Sequence, residues 1–195
     1  MPALGYIELV GGYTLTSPSE SGYDFRGYYT GEDGTGTQYY TSTMGSATNW
    51  VEIANTPLLA WFDIKNYCFE FHVDGGSTIN DLCYNYGSTV TPPSNPTKTG
   101  YTFGGWYNES GLTTTFSWPS TMPDYGADNT IKHIYAKWVI EDYTYNFIEN
   151  GGTAVTNISE NYGTDITGYS TAITRTGYTF DGWYEESGFT TSWTR

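Results

Sequence analysis

An eight-residue aromatic phrase occurs three times in this chain, each time led by glycine: GYDFRGYY from Gly22, GYTFGGWY from Gly100 and GYTFDGWY from Gly177. Recurrence at this spacing makes the chain an array of small modules rather than one large core. Tyr67 to Gly87 falls on Tyr143 to Gly163 at a constant offset of 76. One extra residue then shifts the offset to 77, which sets Gly100 on Gly177 and Trp106 on Trp183. The first copy fits at 78 over Gly22–Tyr29 and at 76 over Leu59–Phe62, so it carries a two-residue insertion. Three units follow: 1–63, lacking a first strand; 64–139, complete; and 140–195, lacking a last strand.

Within a unit the pattern is that of strands. Tyr67-Cys68-Phe69-Glu70-Phe71-His72-Val73 alternates apolar with polar residues, as a strand with one buried face does. Asp74-Gly75-Gly76-Ser77 reads as a two-residue hairpin turn centred on Gly75 and Gly76, and Leu82 to Tyr86 returns as the second strand. The third unit repeats the hairpin through Asn150-Gly151-Gly152-Thr153. The aromatic phrase predicts a further strand, and Ile134-Tyr135-Ala136-Lys137-Trp138 a last one. Phe25, Tyr28, Phe103, Trp106, Trp138, Phe180 and Trp183 sit at recurring positions and are the expected core anchors. Trp50, Trp61 and Trp118 stand outside the repeat and are the candidates for exposed platforms on which a ligand could stack. The fold class expected is mostly β with at most short helical turns.

If Gly75-Gly76 is a two-residue loop, facing residues sum to 151, and Cys68 plus Cys83 meets that sum. The count sets them at a hydrogen-bonded pair, at the wider Cα separation of such ladders. A cross-strand disulfide is the favoured reading over two free thiols. Thr144 and Ser159 stand at the same places in the third unit, so the module does not need the bond.

The pattern of a Gly-Gly hairpin, then GYTFGGWY, then TMP and IYAKW resembles the Listeria–Bacteroides repeat, also called the internalin B-type repeat. The likeness covers residues 67–138 fully, 143–195 without the last strand and roughly 6–62 without the first. Tyr28 departs from it, where the other units have Trp. The resemblance implies a small β-grasp-like module used in tandem as a stalk element of bacterial surface proteins and adhesins. With only four residues between units, Val139 to Asp142, such an array is expected to be a semi-rigid rod.

Seven Lys and Arg stand against 21 Asp and Glu, a net charge of −14 that repels nucleic acid and anionic membranes. No apolar run is long enough to span a bilayer, so membrane insertion is not expected. No leader is visible in the strand-like segment after Met1-Pro2, which suggests a mature piece of something longer.

Catalytic chemistry finds no foothold. His72 and His133, the two histidines, have no Cys or Asp at ligand spacing, and no nucleophile elbow is present. The acidic pairs Glu32-Asp33, Glu141-Asp142 and Glu185-Glu186 fall in turns or linkers and read as solvated. Asp124 and Asp128 are the residues a weak calcium site would use, without a DxDxDG loop to support them. No cofactor and no structural metal are expected.

The function expected is a non-enzymatic extracellular or cell-surface stalk, adhesin or filament subunit. The alternative is a carbohydrate- or protein-binding module using exposed aromatics. Expected partners are neighbouring repeats, other copies joined by strand complementation, or a host or cell-surface protein or glycan.

Overall fold

A computed structural model describes residues 16–165 and 172–193. The strand-like segment expected after Met1-Pro2 lies outside them. The described chain is almost entirely β. Its strands are β1 (Tyr23–Tyr29), β2 (Gln38–Thr41), β3 (Leu59–Ile64), β4 (Asn66–His72), β5 (Leu82–Asn85), β6 (Tyr101–Tyr107), β7 (Thr130–Ile140), β8 (Asp142–Tyr145) and β9 (Ile158–Asn161). A 3-10 turn, Glu32–Gly34, follows β1. Three sheets form, ordered β2-β1-β3, β5-β4-β7-β6 and β8-β9.

The chain divides into two compact units. One holds Met1–Asp74, Thr78–Ser94 and Trp106–Ala136; the other holds Gly75–Ser77, Asn95–Gly105 and Lys137–Arg195. In the first unit, β1 pairs antiparallel with β3, setting Phe25 opposite Phe62 and Tyr28 opposite Ala60. Phe25, Tyr28, Tyr39 and Leu58 are buried there, with Tyr40, Met44, Ala60 and Phe62 packed against them.

The same unit contains a second core built on β4. The period of two along the strand turns Tyr67, Phe69 and Phe71 to one face and Cys68, Glu70 and His72 to the other. Tyr67 and Phe69 are fully buried, as are Met122 and Ile134. The Phe69 ring lies 5.3 Å from Trp118, 5.8 Å from Phe116 and 6.5 Å from Tyr125, each edge-on. Such edge-to-face pairs add about 0.5–1.5 kcal/mol each beyond the area they bury. This density of rings compensates for the small size of the module.

β4 and β7 run parallel, with Glu70 opposite His133 and His72 opposite Tyr135. Parallel neighbours require a long crossover, here the whole of residues 73–129, which carries β5 and β6.

In the second unit, Tyr143 pairs with Glu160 and Thr144 with Ser159 between β8 and β9. Tyr178 to Tyr184, which repeats β6 in sequence, is not a strand; it makes only the isolated bridges Arg175–Tyr178 and Tyr184–Ser192. The physical reason is pairing: β6 has its ladder with β7, whereas Tyr178 to Tyr184 has no strand beside it among the described residues.

Phe69→Ala should lower the unfolding free energy by about 3–5 kcal/mol, the usual cost of deleting a fully buried ring. Urea unfolding followed by tryptophan fluorescence measures it.

Candidate functional site

The glycines that lead the first two aromatic phrases, Gly22 and Gly100, each lie against a tyrosine ring of the following repeat. At Gly22 a Cβ would fall 2.1 Å from the ring of Tyr86, and at Gly100 it would fall 2.0 Å from the ring of Tyr162. No side chain fits at either distance, and both glycines hold φ of +76°. The backbone then closes the contact in both directions. The Lys65 N–H donates to the Gly22 carbonyl and the Tyr86 N–H to the Lys65 carbonyl, each at 2.9 Å. One repeat later, the Glu141 N–H donates to Gly100 at 2.9 Å and the Tyr162 N–H to Glu141 at 2.8 Å. Tyr23 meets Tyr86 edge-on at 6.0 Å, and Tyr101 meets Tyr162 at 6.2 Å. The geometry therefore recurs with the sequence. At Gly177 a Cβ would meet nothing within 4 Å among the described residues.

Each junction has its own carboxylate. Asp124 accepts from the Tyr67 hydroxyl at 2.6 Å, from the Gly22 and Gly126 amides at 2.8 Å each and from the Ser21 hydroxyl at 3.0 Å. Lys65 Nζ lies 3.7 Å away. The Tyr67 hydroxyl, then the Gly126 and Gly22 amides, hold the Asp124 carboxyl well below the usual carboxylate range. Burial, and then the bond to Asp124, pushes the Tyr67 phenol up to about 12. Asp128 is engaged by the Asn66 amide at 2.7 Å. These two side chains, candidates for calcium on sequence, are committed to protein donors instead. At the second junction Glu141 accepts from the hydroxyls of Thr102 at 3.0 Å and Tyr143 at 2.5 Å, which lower its pKa in the order Tyr143, Thr102.

A capped turn also recurs. Glu109 accepts from the amides of Thr113 at 2.8 Å and Thr114 at 2.7 Å; Glu186 accepts from those of Thr190 at 2.5 Å and Thr191 at 2.7 Å. Leu112 and Phe189, both at φ of +51°, occupy the left-handed position of the turn. Glu186, read from sequence as merely solvated, is thus a cap.

Cys68 and Cys83 face each other in the β4–β5 ladder and are joined by a disulfide with Cα atoms 4.1 Å apart. That is the narrow separation of an antiparallel pair, not the wide one counted from a Gly75-Gly76 loop. The difference lies in the turn. Positive φ falls on Asp74 (+43°) and Gly75 (+78°), and on Asn150 (+48°) and Gly151 (+85°), one residue earlier than expected. The paired ladder extends only from Asn66–Phe69 to Leu82–Asn85, so a wide loop replaces the tight hairpin. Closing that loop is worth about 3 kcal/mol in the chain-entropy account. In the third repeat a hydroxyl bond between Thr144 and Ser159 at 2.8 Å stands at the same pair.

Phe25, Tyr28 and Trp106 are buried, whereas Phe103, Trp138, Phe180 and Trp183 are half-buried. Phe103 packs on Trp138 at 5.7 Å, and Phe180 on Trp183 at 5.4 Å. Trp118, expected at the surface, is packed among Phe69, Phe71 and Phe116, because the loop before Met122 folds over the β4 core. Trp61 stands edge-on to Tyr29 at 5.6 Å and closes over Gly34. Trp50 is half exposed and leans on Tyr39. In the third repeat, Phe147, Phe180, Trp183 and Trp193 line an open cleft of about 1180 Å³.

The histidines do not stand apart. The parallel register carries His133 to Glu70 and His72, and the three side chains converge on the outer face of β4 and β7. Sequence spacing could not reveal this, since 61 residues separate the two imidazoles.

The profile of the Listeria-Bacteroides repeat domain matches residues 9–51, 67–137 and 143–195. The chain belongs to the Listeria–Bacteroides repeat family. Among its relatives, a protein of Evansella cellulosilytica named as a Gly-rich membrane protein is 33% identical over 177 residues, 89% of this chain and 19% of its own. A second from that organism, named as a membrane protein, is 32% identical over 178 residues, 91% of this chain and 25% of its own. Internalin H of Listeria monocytogenes is 37% identical over 93 residues, 48% of this chain and 16% of its own. The chain thus spans a quarter or less of the length of these relatives. As a family member it is a tandem-repeat protein; no helix among the described residues is long and apolar enough to cross a membrane.

Two predictions follow from the junctions. Gly100→Ala should destabilise the chain by about 2–4 kcal/mol, since strain at positive φ and the clash with Tyr162 add. Gly177→Ala should cost only the backbone strain, about 1 kcal/mol; paired urea titrations measure the difference. Asp124 has its folded pKa below its ordinary 3.8, so its stabilisation is present at neutral pH and is lost as pH falls through and below about 4. Asp124→Asn should therefore lower the urea midpoint at pH 7, with the gap to the parent chain shrinking at pH 3.

Proposed function

We infer that this chain is a non-enzymatic segment of an extracellular stalk or adhesin on a bacterial surface, whose modules hold a binding region away from the cell envelope. The observation that carries the reading is the recurrence of one interlocked junction at both repeat boundaries. A spacer must resist bending and pulling at its joints, and a joint closed by two backbone hydrogen bonds and a glycine seated under an aromatic ring does so. The family membership and the likeness to membrane proteins and to an internalin support the surface setting. Copies could also associate by strand addition at β8, an edge strand of a two-stranded sheet.

A second reading, a module that binds a glycan or protein, draws on Trp50, Val51 and Ile53, a run of exposed apolar side chains.

Single-molecule pulling on the intact chain tests the stalk. Gly100→Ala should unfold at lower force than the parent chain, and equal forces would contradict the role of the junction. A glycan array separates the two readings: no binding is expected of a spacer, whereas binding lost in Trp50→Ala would establish the second. Sedimentation at micromolar concentration tests association, and a single species at the 21.7 kDa of one chain would remove it.

A further inference from the structure

We propose that Glu70, His72 and His133 form a binding site for a divalent transition metal of the zinc type on the outer face of the middle repeat. Two independent geometrical facts bring them together. Glu70 and His72 are two residues apart on β4, so both project from the face opposite Tyr67, Phe69 and Phe71. His133 is the residue of β7 that the parallel register sets directly opposite Glu70.

The contact distances fit a metal polyhedron. His72 Nε2 lies 3.1 Å from His133 Nδ1, Glu70 Oε1 lies 3.5 Å from His72 Nε2, and Glu70 Oε2 lies 3.4 Å from His133 Nδ1. Ligands at metal distances of 2.0–2.1 Å in a tetrahedron are separated by about 3.3–3.5 Å. Two imidazoles and one carboxylate are a donor set that zinc prefers, whereas calcium and magnesium take oxygen ligands. Placement also favours it. The side chains are 36–50% exposed, so an ion can enter and a fourth position remains open to water. The His72 ring is stacked on Tyr135, with centroids 4.5 Å apart and planes 12° apart, which holds it in orientation without occupying Nε2.

The site belongs to the middle repeat alone. At the repeat offset of 76, Asn146 and Ile148 replace Glu70 and His72, and Pro57 replaces His133. It is therefore no requirement of the module. A bound ion would tie β4 to β7, next to the disulfide that ties β4 to β5.

Zinc added to the metal-stripped intact chain, followed by isothermal calorimetry and by nitrogen-15 spectra of the imidazoles, tests the proposal. One zinc per chain is expected. Because the chain has only two histidines, both ring systems should shift together, His72 at Nε2 and His133 at Nδ1. Calcium at the same concentration should shift neither. Glu70→Gln, and the double variant His72→Ala/His133→Ala, should each weaken zinc binding more than about tenfold. Their amide spectra show whether the fold is kept, and the titration of the parent chain stands without them. Imidazole signals unmoved at saturating zinc would overturn the site. Undiminished zinc affinity in a folded double variant would overturn it equally, leaving the cluster a hydrogen-bonded pair of histidines beside a carboxylate.

Discussion

Everything in this chain that depends on order between repeats rests on a glycine lying under a tyrosine ring. The ring of Tyr86 or Tyr162 approaches the Cα of Gly22 or Gly100 so closely that a single methyl would collide with it. Close approach lets the flanking backbone exchange two hydrogen bonds with the residue between the repeats, Lys65 or Glu141. A flexible linker would leave those amides to water. In an array whose stability is a sum of modules and nearest-neighbour interfaces, such a contact is the interface term, and it is built mostly from backbone. The side chains around it can therefore differ, Asp124 and Lys65 at one junction and Glu141 and Thr102 at the next.

The two faces of β4 show how one strand serves two purposes. The inner face carries the rings that make a core in a module too small to bury much else. The outer face carries groups that can join neighbours by bonds stronger than packing: Cys68 to Cys83 on β5, and Glu70 and His72 to His133 on β7. The third repeat keeps the architecture at the corresponding pair with a hydroxyl bond between Thr144 and Ser159. Covalent and ionic ties are thus additions to the repeat and not conditions of it.

The β class, the tandem repetition and the facing of Cys68 with Cys83 were legible because they follow from local alternation and from offsets along the chain. What was not legible depends on contacts distant in sequence. The parallel pairing of β4 with β7 crosses 57 residues, 73–129, and no spacing rule announces that it unites the two histidines with Glu70. The role of the leading glycines was not legible, because nothing local tells that Tyr86 will lie over Gly22, 64 positions earlier. Trp118 breaks the repeat and so resembled a surface residue, yet Phe69 and Phe116 enclose it. The turn was misplaced by one residue because Asp and Asn also tolerate positive φ, and Asp74 and Asn150 take it where a second glycine was available.

Hydrogen exchange at the amides of Lys65, Tyr86, Glu141 and Tyr162 probes the junction most directly. If the interlock holds neighbouring repeats together, these four amides exchange as slowly as those in the middle of β4, opening only with the module as a whole. Exchange at the rate of exposed loops such as Thr48 to Asn55, with β4 still protected, would mean that the repeats are joined by ordinary linkers and that the glycine under the ring carries no load.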